Sequence, residues 1–292
     1  MWHIIEKSIS EKSGQPFKIK QRSAISGGCI NQAFLITDGI QRYFIKLNDA
    51  TGLPMLEAEY KGLEAILATE TIKAPQPLCC GIAENHAFLA MHYIDTRNSL
   101  NNHVQLGEQL AAMHRKHFDY FGWQQDNTIG STLQLNPRCA NWVDFWREQR
   151  LGFQLELAAQ KGFGGTLQKE GKKLMACFGV LFERHSPQPS LLHGDLWSGN
   201  YCFDSEGSPV IFDPASYYGD READIAMTEL FGGFSNEFYR AYQSAFPLDS
   251  GYHTRKTLYN LYHILNHLNL FGHSYLSQAQ QMIRQLLNEL GQ

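Results

Sequence analysis

Asp195, Asn200 and Asp213 carry oxygen-bearing side chains at spacings suited to chemistry on phosphate. Asp195 and Asn200 lie in Leu191-Leu192-His193-Gly194-Asp195-Leu196-Trp197-Ser198-Gly199-Asn200, and Asp213 ends the apolar run Val210–Phe212. Phosphoryl transfer from ATP needs a carboxylate to take the proton of the attacking hydroxyl. It also needs an amide and a second carboxylate to hold the Mg²⁺ that bridges the phosphates. Asp-x-x-x-x-Asn with an Asp at the end of the next strand is the spacing that supplies them. Singly, each residue is equally a turn or strand-end residue; the compound pattern is what carries the reading.

These side chains need strands to carry them. Pro189–Leu192 and Val210–Phe212 are expected to bring the two carboxylates to one end of a paired strand arrangement, where a metal sits between them. Farther upstream, Ser26-Gly27-Gly28-Cys29-Ile30-Asn31 lies between two strand candidates. Gly27 and Gly28 there let backbone approach phosphate, with Cys29 and Asn31 in the same loop. Lys46 ends the next strand, within reach of phosphates; a solvated strand end is its bland alternative. Glu59 comes three residues after Leu56 and four before Leu63, so it shares the buried stripe of a helix expected over Met55–Thr69. A carboxylate in an apolar stripe needs a cation, and Lys46 is the nearest candidate. Glu57, about 160° round the helix from Glu59, is expected to be solvated.

The wider pattern divides the chain. Phe17, Ile19, Ala33–Ile36 and Tyr43–Leu47 read as strands around an Asp38-Gly39 hairpin, with another strand at Ala87–Met91. Beyond Ile94 the periodicity is helical: Val104–His117, Trp142–Gln160, Gly171–His185, Asp220–Leu230 and Thr254–Phe271. The pattern implies an α+β chain of two lobes, residues 1–93 β-rich and nucleotide-binding, residues 94–292 helical, with a cleft between them. At 292 residues and 43% hydrophobic content it can bury a sizeable core. A formal net charge of −4 gives no pull towards nucleic acid or anionic membrane. The start lacks the apolar stretch of a signal peptide, and no later run is long enough to span a bilayer. The six cysteines are scattered without a CxxC pair and read as reduced thiols in a soluble cytoplasmic protein.

Taken together, these segments resemble the fructosamine (ketosamine) kinase family, within the aminoglycoside- and choline-kinase-like small-molecule kinases. The resemblance rests on Ser26–Ala33, Leu191–Asn200, Asp213-Pro214-Ala215-Ser216-Tyr217-Tyr218-Gly219-Asp220-Arg221-Glu222 with Asp224 and Phe231–Phe234, and Leu265–Gly272. It implies a protein-kinase-like fold and ATP-dependent phosphorylation of a sugar hydroxyl on a ketosamine, free or attached to a protein. By position, Asp195 is then the base, Asn200 and Asp213 hold Mg²⁺, and Lys46 contacts phosphate with Glu59 behind it. Met91, His92, Tyr93 and Ile94 match the adenine-binding connector, through the His92 carbonyl and the Ile94 N–H. Asp224 matches a carboxylate that braces the catalytic loop, and His193 is expected to structure that turn through a backbone hydrogen bond. Gly194 in place of the arginine of His-Arg-Asp, and Pro214-Ala215 in place of Phe-Gly, argue against an activation loop.

The acceptor side is more open. Trp197 is either a sugar-stacking face or a packing residue. His263, Asn266 and His267 share one helix face as a polar substrate surface or as satisfied core residues. Zinc is disfavoured because no third ligand is evident. His103, His114 and His117 read as ordinary helix residues. Cys29, beside backbone N–H groups and near Lys46, is in a setting that favours thiolate. It is expected to oxidise reversibly, to a sulfenic acid or a Cys29–Cys29 disulfide, with a small buried residue filling a turn as the alternative; the protein is a monomer or a redox-dependent homodimer. A kinase for an aminoglycoside or amino alcohol, or a non-catalytic nucleotide-binding protein, are the competing readings.

Overall fold

The structure is a computed structural model that describes residues 1–25, 31–96 and 101–292. The chain opens on helix α1 (Trp2–Ser13), a helix not expected from the sequence, which buries Ile5 and Ile9. Strands β1 (Gln21–Ile25), β2 (Gln32–Thr37) and β3 (Arg42–Asp49) are joined as antiparallel neighbours. The hairpin between β2 and β3 turns at the expected Asp38-Gly39. Asp38 Oδ1 accepts from the N–H groups of Ile40 and Gln41, and Gly39 takes φ 99°. Helix α2 (Leu53–Ala68) comes next, and strands β4 (Pro77–Ala83) and β5 (His86–His92) complete a five-stranded antiparallel sheet of order β1-β2-β3-β5-β4.

The remainder is mainly helical. It runs through α3 (His103–His114), the hairpin β6 (Asn127–Ile129) and β7 (Thr132–Gln134), and α4 (Trp142–Phe145). The expected single helix over Trp142–Gln160 is interrupted by a π-helical stretch, Trp146–Gly152, before α5 (Phe153–Gln160). Then come α6 (Thr166–Cys177), β8 (Ser190–Leu192), β9 (Tyr201–Phe203), β10 (Pro209–Ile211), β11 (Tyr217–Gly219) and α7 (Glu222–Leu230). Helices α8 (Asn236–Ala245), α9 (Tyr252–Phe271) and α10 (Leu276–Glu289) close the chain. Of these, α8 and α10 were not expected from the sequence, although both are amphipathic with a narrow buried face. No described helix is long and apolar enough to cross a membrane.

The expectation that β8 and β10 form one paired arrangement is corrected. β8 pairs with β11, and β10 pairs with β9, so the two carboxylates sit on separate short ribbons. Backbone bonds extend each ribbon towards the site, Phe212 N–H donating to the Asn200 carbonyl in one and Ala215 N–H to that of His193 in the other, and the His193 side chain joins the two at the Phe212 carbonyl. The sheet and the helical region share packing. One face of the sheet packs on α1 through Ile5, Ile9, Tyr43, Ile45 and Phe88. The other face, with Leu56, Leu63 and Ile66 of α2 and Leu89 and Met91 of β5, belongs to the same core as the helical region. Helix α2 is therefore a shared wall.

Candidate active site

Three elements converge on Lys46. Alternation along β3 points its side chain to the α2 side of the sheet, where it is buried. Its Nζ lies 2.7 Å from Glu59 Oε1 on α2 and 2.5 Å from Asp213 Oδ1 beyond β10. Burial alone would lower the lysine's pKa, but the two carboxylates outweigh it and raise it, so the ammonium stays charged. Burial pushes Glu59 up to about 7 against the pull of Lys46.

The Asp195 turn is held from behind. Asp224, on α7, accepts the backbone N–H groups of His193 at 2.7 Å and Gly194 at 2.8 Å, one with each oxygen. Its Oδ2 also takes the Nε2–H of His114 at 3.2 Å, while His114 Nδ1 accepts from Tyr242 Oη at 2.8 Å. Burial would raise Asp224, yet these donors hold it below the ordinary carboxylate range. His114 is fully buried and kept neutral by that burial, so it is not the ordinary helix residue the sequence suggested. Its signal was an i, i+3, i+4 position among Leu110, Ala111 and Met113, where an uncommitted histidine would be costly. His117 lies outside α3 altogether. His193 Nε2 donates to the Phe212 carbonyl at 2.9 Å, tying the Asp195 turn to the strand that delivers Asp213.

Asp195 keeps an edge towards solvent but is otherwise enclosed. Desolvation, with a smaller push from the nearby Asp213 charge, raises it to about 7, and Asn200 Nδ2 opposes this by donating to Asp195 Oδ2 at 3.2 Å. The same Nδ2 donates to the Asp195 carbonyl at 2.8 Å, which fixes the amide and leaves Asn200 Oδ1 as an acceptor. Asp213 holds φ 58°, an uncommon conformation for a non-glycine residue, and its side chain is 46% exposed. Asn200 Oδ1 and the Asp213 carboxylate are hard oxygen donors of the kind Mg²⁺ takes. The repulsion between Asp195 and Asp213 is what a cation between them would relieve.

Gly27, Gly28 and Cys29 lie outside the described residues. Asn31 Oδ1 accepts from Asn48 Nδ2 at 2.7 Å, which ties the start of β2 to β3. Along the connector, Met91 is buried in β5. The N–H groups of His92 and Tyr93 are taken by the carbonyls of Gln76 and Arg42. On α9 the expected polar face divides. Asn266 is buried, with Nδ2 on the Ile129 carbonyl and Oδ1 facing Gln154, so it is a packing residue and not a substrate contact. His263 is buried and pushed down to about 3 by desolvation. His267 donates from Nδ1 to the His263 carbonyl and sits among Phe231, Phe271 and Tyr275. Trp197 is 38% exposed, and its ring folds over Gly199 so closely that a side chain there would collide with it.

Comparisons with known proteins agree with one another. A Synechocystis protein assigned as a ketoamine kinase is 49% identical over 288 residues, covering 98% of this chain and 97% of its own. The chloroplastic protein-ribulosamine 3-kinase of Arabidopsis thaliana is 41% identical over 280 residues, 95% of this chain and 86% of its own. The crystal structure of a Haemophilus somnus protein assigned as a fructosamine-3-kinase superposes with a TM-score of 0.88 at 32% identity, covering 98% of both chains. An aminoglycoside phosphotransferase shares the fold, with a TM-score of 0.65 at 16% identity over 98% of both chains. A sequence model of fructosamine kinase matches residues 1–289, and the chain belongs to that family.

Proposed function

We propose that the protein is an ATP- and Mg²⁺-dependent kinase that phosphorylates a sugar hydroxyl of ketosamines, the adducts of fructose or ribulose with amines, free or on proteins. Its role is then repair of glycated amines. The observation that carries this is Lys46 bonded to both Glu59 and Asp213, while Asn200 holds Asp195 one loop away. Each residue has one task. Asp195, poised near neutrality, accepts the hydroxyl proton through the oxygen that Asn200 leaves free. Lys46 takes phosphate oxygens, with Glu59 keeping its ammonium in place. Asn200 and Asp213 would hold Mg²⁺, which when bound would supply positive charge to the phosphates. Gly27, Gly28, Cys29 and Asn31 are assigned to the phosphates by their place in the sequence. The connector Met91–Ile94 meets adenine through the His92 carbonyl and the Ile94 N–H, since the other two amides are occupied by the sheet. Trp197 and His267 face the sugar, and the enzyme works as a cytoplasmic monomer.

The test is release of ADP from Mg-ATP with and without fructosyl-lysine and ribulosyl-lysine. Ketosamine-dependent turnover is expected. Turnover on an aminoglycoside or amino alcohol with none on either ketosamine overturns the substrate; nucleotide binding without turnover on any acceptor overturns the activity.

A further inference from the structure

Arg150 lies in the π-helical stretch and is fully buried, yet its hydrogen bonds all go to neutral acceptors. Nη1 donates to the carbonyls of Leu135 at 2.7 Å and Gln149 at 3.2 Å, and Nη2 donates to Asn136 Oδ1 at 2.7 Å. Among the described residues its Nε has no partner. The guanidinium is sandwiched between rings, 4.6 Å from the centroid of Phe145 and 4.2 Å from that of Tyr217. A buried cation without an anion is costly, and a Met of similar length would pack there more cheaply. Something else keeps it in place.

The hydrogen bonds beyond it supply a reason. A guanidinium can only donate, so Asn136 must present its oxygen to Arg150 and its nitrogen to the next residue. That nitrogen donates to Asn127 Oδ1 at 2.8 Å, which turns Asn127 Nδ2 onto the carbonyl of Ser216 at 2.8 Å. Gln134 runs beside it. Tyr262 Oη donates to Gln134 Oε1 at 2.7 Å, and Gln134 Nε2 donates to Asn127 Oδ1 at 2.8 Å and to the Ala215 carbonyl at 3.1 Å. All three amides are buried. Without the arginine each amide could flip and face a carbonyl with its own oxygen. With it, one polarity runs from Arg150 to the two carbonyls just past Asp213.

We propose that Arg150 is a positioning residue for Asp213, acting through the amide relay Asn136–Asn127–Gln134 on the corner Pro214–Ser216. That corner leaves Asp213 in its left-handed conformation, so a small slack in the carbonyls would swing the carboxylate. The inference rests on Asp213 being the metal-side carboxylate, and its test has an arm that does not.

In the first arm, hydrogen–deuterium exchange of the nucleotide-free protein is compared for wild type, Arg150→Met and Arg150→Lys. Exchange over residues 213–217 is expected to quicken about tenfold in Arg150→Met while the β1–β5 sheet is unchanged. Arg150→Lys should fall between, since an ammonium cannot hold the Leu135 carbonyl and Asn136 at once with the same geometry. In the second arm, calorimetry is expected to give about tenfold weaker MgADP binding for Arg150→Met, with ADP in EDTA bound as by wild type. Exchange that quickens everywhere alike, or unchanged MgADP affinity, overturns the proposal. If Arg150→Met does not fold, Asn127→Ser carries both arms. Were Asp213→Ala itself to bind MgADP normally, the metal role of Asp213 would have failed, and the exchange arm alone would then decide on Arg150.

Discussion

Gly194 lies directly beneath the carbonyl of Ala215, so close that a Cβ on Gly194 would overlap that oxygen. The two residues belong to the two loops that carry Asp195 and Asp213, and Gly194 adds φ 84° to the constraint. A side chain such as the arginine of His-Arg-Asp would meet the same overlap at this position. Gly194→Ala is expected to cost at least about 2 kcal/mol, from left-handed strain plus the clash. Turnover should drop further than stability does, because the overlap can be relieved only by parting the two loops. Urea denaturation alongside kcat measures both; a variant with normal kcat would show that the contact does not set the site.

Asp195 makes opposite demands on stability and activity. Its pKa in the fold is about 7, far above its unfolded value, so the folded state binds the proton more tightly. Stability from this group is fully present at low pH and is lost as pH rises towards and through 7. On the proposed role of Asp195 as base the deprotonated form is the active one, so kcat/KM should climb through about pH 7. Asp195→Asn should be inactive and, at pH 8, more stable by on the order of 1 kcal/mol after allowing for the solvent-facing edge. The gain should shrink as pH falls below 7 and vanish only below about pH 4, the unfolded value, read as melting temperature against pH.

The buried histidines work the other way. His263 is pushed down to about 3, and His114 and His193 are also lowered by burial. Their stability is present above the unfolded pKa of about 6.5 and drains away as pH falls. For His263 the loss is about 2 kcal/mol between pH 6.5 and 5. His263→Gln should flatten the acid limb of a stability–pH curve by that amount. An unaltered slope would mean that His263 protonates freely in the fold.

Lys46 and Glu59 should separate activity from stability. Lys46→Met leaves Glu59 and Asp213 without their cation, at a cost of about 3–5 kcal/mol in a buried pair. Adding Glu59→Gln should restore part of that stability and none of the turnover. Thermal melts and kcat/KM for ATP on the single and double variants decide it; recovery of turnover in the double variant would remove Lys46 from catalysis.

Cys29 is the cysteine with an expected redox role. Mild peroxide should inactivate wild type reversibly, ATP should protect, and a dimer should appear on a non-reducing gel, with Cys29→Ser resistant. The background is favourable: burial pushes Cys79 up to about 12 and Cys202 up to about 11, so neither competes as a thiolate. Equal inactivation of wild type and Cys29→Ser would end the idea.

Much of the site was legible because its residues are local in sequence. Asp195 to Asn200 is one turn, and a carboxylate at Glu59 in an apolar stripe announces its own need for a cation. The hairpin at Asp38-Gly39 was legible for the same reason. What was not legible is non-local. β8 finds β11 across the intervening β9–β10 hairpin, and no periodicity reports that. The π-helical stretch hides inside a continuous helical pattern, since its hydrophobic spacing is ordinary. Asn266 looks like a surface amide until Gln154 and Ile129, over a hundred residues away, meet it in the core.

With Asp213 proposed for the metal and Lys46 for the phosphates, the bond between them would make the arrival of metal and of triphosphate one thermodynamic event. A cation that claims Asp213 strips Lys46 of its second carboxylate until phosphate oxygens replace it. A metal-free nucleotide that claims Lys46 leaves Asp213 with no counter-charge. Each ligand therefore raises the affinity for the other, and by linkage it does so to the same degree. On the proposed assignment, bare Mg²⁺ would meet an Asp213 already paired with Lys46 and bare ATP a Lys46 already held by two carboxylates, so the nucleotide-free enzyme would select the complex over either component.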